Sequence, residues 1–330
     1  MGMVVTSIGL AGRETTRLGY GCSSLMGGMG RKESLGVLEA AFEAGVRHYD
    51  VAPMYGYGEA EGCLGEFLRG HAGQCTITTK YGIPPAGNQS LMGLARGLAR
   101  PVLKLLPGLK QRMASVAGKV TRTDEKASFT AAQARESLER SLKALQVERI
   151  DVWLLHEVTA EDLQDDGLLR LLEDQVASGT IGTFGIGSEG TKVGELLRLK
   201  PEYCRTLQYE WSIMNAKVAP SAAFRIHHRA LTQSFRELHS ALLGQPQTCT
   251  RWSESVGLDL SEAETLAKLM LKASLVMNPE SIVLFSSKRA AHIRNNVAVA
   301  TDASLDAAAL RLYELVQAEQ HDVMGQVKQL

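Results

Sequence analysis

The chain has 330 residues, of which 45% are hydrophobic and 22% charged, enough apolar material for a large core and too much for a disordered chain. Its 36 Lys and Arg balance 36 Asp and Glu, so the basic surplus of a dedicated nucleic-acid binder is missing. Mean hydropathy is −0.07, and no apolar run approaches the roughly 20 residues that a membrane span needs. Five scattered cysteines (Cys22, Cys63, Cys75, Cys204, Cys249), odd in number and without a CxxC pair, argue against a disulfide framework or a zinc ribbon. They fit a reduced, cytoplasmic setting, and the N-terminus lacks the pattern of a signal peptide. Gly2 satisfies a short myristoylation pattern, but the segment also reads as a strand.

In chain order, strand-like Val4–Ile8 and Thr16–Tyr20 flank Gly12 and predict a hairpin. Alternation follows. Helix-like Glu33–Ala44 and Glu59–Leu68 stop at Gly45 and Gly70 and precede strand-like Val46–Asp50 and Cys75–Lys80. The helix predicted over Ala131–Leu145 carries Leu138, Leu142 and Leu145 on one face and leads into the apolar run Ile150–Leu155, the pattern of a doubly covered parallel strand. Leu168–Ala177 with Gly182–Ile186, Val193–Leu199 with Thr206–Tyr209, and Phe224–Ile226 with Leu231–Leu242 continue the series, which Ala263–Met277, Ser281–Phe285 and Ala290–Ala300 close. About eight strand–helix units without a Pro/Gly linker predict one domain: an α/β fold, a closed (β/α)8 barrel of the TIM type with an N-terminal β-hairpin. In such a barrel the chemistry sits just after each strand.

Residues 83–128, between the third barrel strand and its helix, break the rhythm. They hold eight basic residues against two acidic ones, a net charge of +6, interleaved with leucines and glycines. This basic insertion reads as a partly helical surface excursion, as a lid over an anionic cofactor or substrate, or as a contact with a partner or membrane surface.

Three predicted strands end in a polar residue: Asp50 the second, Lys80 the third, His156 the fourth, with Tyr55 in the loop after Asp50. Each alone could cap a helix or anchor a loop, but a barrel gathers all four at one pole. A phenol is neutral near pH 7 and can donate a proton; a neighbouring ammonium would lower its pKa toward working pH. Asp50 would hold Lys80, and His156 would orient a substrate oxygen. This suits protonation of a carbonyl oxygen while a nicotinamide supplies hydride to the carbon.

The motifs resemble those of the aldo-keto reductases. DVAPMYGYGEAE (50–61) is similar to that family's Asp–Thr–Ala–x–x–Tyr–Gly signature, with Val51 where Thr is usual. SLERSLKALQVERIDVWLLHE (137–157), VASGTIGTFGIGS (176–188) and SIVLFSSKRAAHIRNNV (281–297) resemble its second signature, its nicotinamide segment and its cofactor-phosphate segment, in the right order. Only 83–128 and roughly 230–260 fall outside. The resemblance implies Tyr55 as general acid, Lys80 as its modulator, Asp50 as the partner of Lys80 and His156 as the substrate-orienting group. It implies Ser188 and Gln208 at the nicotinamide carboxamide, and His228 where an aromatic ring usually stacks. Ser286, Ser287, His292 and Asn296 take the places that hold the 2′-phosphate and adenine. Ser286 and His292 stand where the family often has Lys and Arg, leaving Lys288 and Arg289 as the cations. NADPH is implied ahead of NADH. Gly82 stands where many members carry a substrate-pocket Trp.

The implied function is NAD(P)H-dependent reduction of an aldehyde or ketone; the partner is a small carbonyl substrate, not nucleic acid. The alternative is a nicotinamide-binding regulatory protein that presents 83–128 to a partner. GIGSEG (185–190) also spells the GxGxxG fingerprint of a Rossmann dehydrogenase, but that reading leaves Asp50, Tyr55, Lys80 and His156 without a role. Trp153 should pack against a helix or fill the barrel, Trp211 could border the substrate, and Cys22 could line the pocket or simply pack. His227 and His228, adjacent in a strand, should face opposite ways.

Overall fold

Ala11 and Gly12 both take left-handed backbone, at φ 50° and 80°, and their two-residue turn joins β1 (Ser7–Leu10) to β2 (Arg13–Thr16). The computed structural model describes residues 7–85, 127–215, 218 and 221–325. The predicted hairpin is therefore present but shifted: Thr16 ends β2, Arg17 breaks the strand, and β3 (Leu18–Gly21) belongs to another sheet. The β-branched pair Thr15–Thr16 hides that break in the sequence.

From β3 onward strands and helices alternate. α1 (Arg31–Glu43), β4 (His48–Asp50), α2 (Ala60–Gly70) and β5 (Thr76–Tyr81) form the first half-circle. They are followed by α3 (Ala131–Leu145), β6 (Ile150–His156), α4 (Asp166–Ala177) and β7 (Ile181–Gly187). Then come α5 (Gly190–Leu199), β8 (Thr206–Glu210), β9 (Phe224–His228), α6 (Thr232–Leu243) and α7 (Pro246–Val256). α8 (Ala263–Met277), β10 (Ser281–Phe285), α9 (Ala290–Thr301) and α10 (Asp306–Gly325) complete the chain. β3 to β10 pair in parallel and close in the order β10–β3–β4–β5–β6–β7–β8–β9. This is the expected (β/α)8 barrel. α7 and α10 were not expected. α7 is polar along most of its length, and α10 lies beyond the last expected strand–helix unit. Of the basic insertion, 86–126 lies outside the described residues.

The two-residue period of a strand sorts side chains between the inside and outside of the barrel. Inside, Val152, Leu154, Ile226, Ile282 and Leu284 form a small core, and Leu10 of the hairpin, 2% exposed, packs into it as a plug. Outside, Trp153, Leu155, Phe184 and Leu207 join the larger core under the helices. Arg13 of β2 reaches buried Asp151 of β6 at 3.1 Å, and Asp151 also accepts the Ile77 N–H at 2.8 Å, so the hairpin is tied to two barrel strands. Gly185 has a steric requirement: a Cβ there would lie 1.8 Å from the Thr206 carbonyl oxygen of the neighbouring strand. The glycine of the GxGxxG pattern thus serves strand pairing, and the Rossmann reading is overturned by the closed barrel.

Polar groups also enter the interior. His48 is fully buried, with Nδ1 3.0 Å from Thr76 Oγ1 and Nε2 3.2 Å from Thr78 Oγ1. Burial, and then the charge of Lys80, push its pKa down to about 3. Because this lies below the unfolded value of about 6.5, the unfolded chain takes up the proton first on acidification. Stability from neutral His48 should thus be lost as pH falls from 6.5 toward 3. Urea midpoints measured between pH 6.5 and 4 should decline less steeply in His48→Gln; an unchanged slope would mean that His48 is protonated in the folded chain. For the plug, Leu10→Ala should cost about 2–5 kcal/mol in urea unfolding at pH 7, and a loss below about 1 kcal/mol would mean that the hairpin is not part of the core.

Candidate functional site

The inward positions at the C-terminal ends of the strands are Asp50 on β4, Lys80 on β5, His156 on β6, Gln208 on β8 and His228 on β9. Asp50 and Lys80 are each one inward step above His48 and Thr78, and His156, Gln208 and His228 are likewise one step above Leu154, Thr206 and Ile226. A cavity of about 510 Å³ opens there, lined by all five together with Tyr55, Gly187, Ser188, Ser286 and Asn296.

The Lys80 ammonium is the centre of the group. It is 2% exposed, and Nζ donates to Asp50 Oδ1 at 2.6 Å and to the Val51 carbonyl at 3.0 Å. The second oxygen of Asp50 accepts from Gln208 Nε2 at 2.6 Å, so the carboxylate links β4, β5 and β8. Burial works against the Lys80 charge, but Asp50 and Tyr55 outweigh it and hold the pKa above the usual lysine value. Tyr55 opens a short turn, Tyr55–Gly58, in which Gly56 and Tyr57 take left-handed backbone. Lys80 Nζ lies 5.2 Å from its ring centre.

The expectation that Lys80 brings the phenol pKa down toward working pH is not met. Lys80 is the strongest single influence and does lower it, but burial, Asp50 and Cys22 together prevail and leave Tyr55 above its ordinary value of 10. The phenol stays protonated through the physiological range and so remains able to donate. The pKa of His156 is pushed down to about 3 by burial, by Lys80 and by His228, and that of His228 to about 3 by burial, by Lys80 and by Arg229. Both are neutral imidazoles at pH 7.

The remaining expected residues divide. Ser188, Gln208, His228, Ser286 and Asn296 line the cavity with the tetrad; Ser287, Lys288 and His292 do not. The Ser287 hydroxyl turns back onto the Arg289 backbone at 3.2–3.3 Å and closes the entry to α9. Lys288 arches over the loop after β3, its Nζ 2.6 Å from the place a Cβ on Gly28 would occupy. Nor do Trp211 and Cys22 line the cavity. Trp211 stacks on Tyr313 of α10 and Cys22 is fully buried. Trp153 packs outward, stacked on Tyr81. His227 faces away from His228, edge-on to Tyr209. At Gly82 a Cβ would meet the His156 carbonyl at 2.4 Å and the Phe129 ring at 2.7 Å, so this backbone leaves no room for a Trp. Sequence reasoning missed Ser23, Glu157 and Arg229, which also line the cavity. Arg229 and Glu157 adopt left-handed backbone at φ 59° and 54°, which no local signal in the sequence announces. Among the described residues no cluster of His, Cys, Asp or Glu suits a metal ion, and no helix is long and apolar enough to cross a membrane.

Comparison with known proteins agrees with this geometry. The model of the Aldo/keto reductase family matches residues 17–232. The chain is 32% identical over 193 residues to a D-threo-aldose 1-dehydrogenase of Pseudomonas sp, covering 54% of this chain and 51% of that protein. It spans between 23% and 51% of the length of the curated relatives it matches. Among solved structures, an aldo-keto reductase of Bacillus halodurans in its holo form superposes with a TM-score of 0.66 at 17% identity, over 93% of this chain and 96% of that one. An aldo-keto reductase of Klebsiella pneumoniae in complex with NADPH gives 0.59 at 18% identity, over 94% and 96%. At these identities the structures speak to the fold alone, whereas the family model spans most of the chain and every barrel strand from β3 to β9. The chain belongs to the aldo-keto reductase family.

Proposed function

We propose that this chain is an oxidoreductase that reduces an aldehyde or ketone to an alcohol with NAD(P)H, NADPH ahead of NADH, and that Tyr55 is the acid. The observation that carries the reading is the buried Lys80–Asp50 pair beside the Tyr55 phenol at the floor of the cavity. A phenol kept protonated can give its proton to a carbonyl oxygen, and the Lys80 ammonium is placed to stabilise the phenolate that remains. A neutral His156 can donate one ring N–H to the same oxygen and fix its direction. All five cysteines are buried and unpaired, which supports a reducing, cytoplasmic location.

The residues present suit a nicotinamide dinucleotide. Gln208 uses Nε2 on Asp50, which leaves its carbonyl oxygen to accept from a carboxamide, and Ser188 lines the same wall. The planar, uncharged His228 ring can take the place of the usual aromatic. α6 begins at Thr232 without a side-chain cap, and residues 229–232 line the cavity, so the first-turn amides and Arg229 offer an anion site for a pyrophosphate. Ser286 and Asn296 lie at the β10–α9 end of the cavity, with Lys288 and Arg289 next in the chain as cations for a 2′-phosphate. When bound, reduced nicotinamide supplies the hydride, and Tyr55 the proton. The D-threo-aldose 1-dehydrogenase among the relatives supports a small carbonyl or hemiacetal substrate.

Tyr55→Phe should lower kcat for a reactive aldehyde such as 4-nitrobenzaldehyde by about 10²–10⁴-fold, with NADPH affinity measured by fluorescence quenching within about threefold of the parent. Activity within tenfold of the parent would remove Tyr55 as the acid. Lys288→Ala should lower the ratio of kcat/KM for NADPH over NADH by roughly tenfold, the worth of one charge-assisted contact. An unchanged ratio would show that Lys288 does not meet the 2′-phosphate.

A further inference from the structure

Glu61 is a buried acid with no part in the proton transfer described above. It stands in the first turn of α2, where an exposed carboxylate would serve the helix N-terminus, yet it is 5% exposed. Its Oε1 accepts from Thr79 Oγ1 of β5 at 2.7 Å. The cations whose charge reaches it, Lys80 and Arg140, are paired with Asp50 and Glu136. Burial raises its pKa, and the Thr79 hydroxyl is the strongest of the groups that oppose the rise. Stability alone gives little reason for such a pair. The buried face of α2 also holds Ala60, Cys63, Leu64, Phe67 and Leu68, and an apolar pair at 61 and 79 would avoid dehydrating a carboxyl. What a buried hydrogen bond adds to apolar packing is one fixed register. That register bears on the acid. The turn Tyr55–Gly58 leads through Glu59 into α2, and its near side rests on the loop after β3, where a Cβ on Gly56 would lie 2.5 Å from the Leu25 carbonyl oxygen. Thr79 directly precedes Lys80 and faces the helices, while Lys80 faces in. The Glu61–Thr79 bond thus joins the helix that continues from Tyr55 to the strand residue beside Lys80.

We propose that Glu61 is a positioning residue for the reaction: through its hydrogen bond to Thr79 it holds the Tyr55 turn at a fixed distance from Lys80. This rests on Tyr55 as the acid and extends the machinery to a residue outside the barrel wall. The ammonium acts on the phenol by charge, so its influence falls as the two separate, and the proton must be delivered along one direction. Asp50 fixes Lys80 from within the barrel, and Glu61 fixes the Tyr55 turn from outside it. The role needs the acceptor oxygen of Glu61 and not its negative charge.

Steady-state kinetics with NADPH and 4-nitrobenzaldehyde test this, with NADPH affinity from fluorescence quenching as the measure of an intact barrel. Glu61→Ala should lower kcat roughly ten- to a hundredfold, with NADPH affinity within about threefold of the parent. Glu61→Gln keeps an oxygen that accepts from Thr79 and should recover kcat to within about threefold of the parent. Thr79→Val keeps every charge and replaces only the hydroxyl; its kcat should fall like that of Glu61→Ala, and the double variant should fall no further. In Thr79→Val the alkaline limb of kcat should also move to higher pH, as the phenol loses part of the Lys80 influence. Should Glu61→Ala fail to fold, Thr79→Val decides by the same two readouts. A Glu61→Gln as slow as Glu61→Ala, losses that multiply in the double variant, or a Thr79→Val with unchanged kcat and an unmoved limb would overturn the proposal and leave the reductase reading in place. A parent protein that binds NADPH yet does not reduce the aldehyde would overturn both.

Discussion

The site depends on one buried ion pair. An ammonium and a carboxylate carried into the interior of a barrel lose their hydration, and their attraction repays this only when the remaining hydrogen-bonding capacity is met. Here it is met in detail: Lys80 donates to Asp50 and to the Val51 carbonyl, while Asp50 accepts from Gln208 with its other oxygen. Three strands are thereby fixed relative to one another at the pole where the cavity opens. The same positive charge acts on its surroundings. It opposes ionisation of His48 and His156 to their charged forms and favours the phenolate of Tyr55. The neutral His156 imidazole follows from burial with the help of this charge, whereas the Tyr55 phenol stays protonated against it, because burial, Asp50 and Cys22 prevail.

That placement follows from the geometry of a closed parallel sheet. With one side chain in two facing inward, each strand offers one inward residue at its C-terminal end, and closure brings those residues to a common rim. One step below, the interior changes from polar to apolar, through His48 and Thr78 to Leu154, Ile226 and Ile282, and the hairpin plug at Leu10 seals the far end. Among the described residues the barrel thus has a polar rim above an apolar lower interior.

Much of this was legible in the residues. The two long helices Ala131–Leu145 and Ala263–Met277 have the bounds that their apolar spacing predicts, although only the first buries one regular face; the second is buried all round from Leu269 to Leu275. Asp50, Lys80 and His156 could be placed at strand ends because each closes a run of good strand formers. Other features were not legible, for reasons that are physical. The break at Arg17 lies inside a stretch of good strand formers. α7 buries only Cys249, Trp252 and Val256 along an otherwise polar helix. Glu157 and Arg229 reach the cavity only through left-handed backbone, imposed by the surrounding structure rather than by their own preference. The net pKa of Tyr55 depends on the pull of Lys80 against burial, Asp50 and Cys22, and a sequence can name the charges without weighing the burial. Ser287, Lys288 and His292 could be recognised by resemblance alone; none of the three lines the cavity.

The rest depends on the action of the Lys80 charge on the Tyr55 phenol. The most direct test of that action is the pH dependence of kcat for aldehyde reduction in the parent protein and in Lys80→Met, with cofactor affinity measured alongside to confirm an intact site. Loss of the cation removes the strongest influence that lowers the phenol pKa, so the alkaline limb of the profile should move to higher pH as kcat falls. A limb that stays in place, or moves to lower pH, would contradict the account.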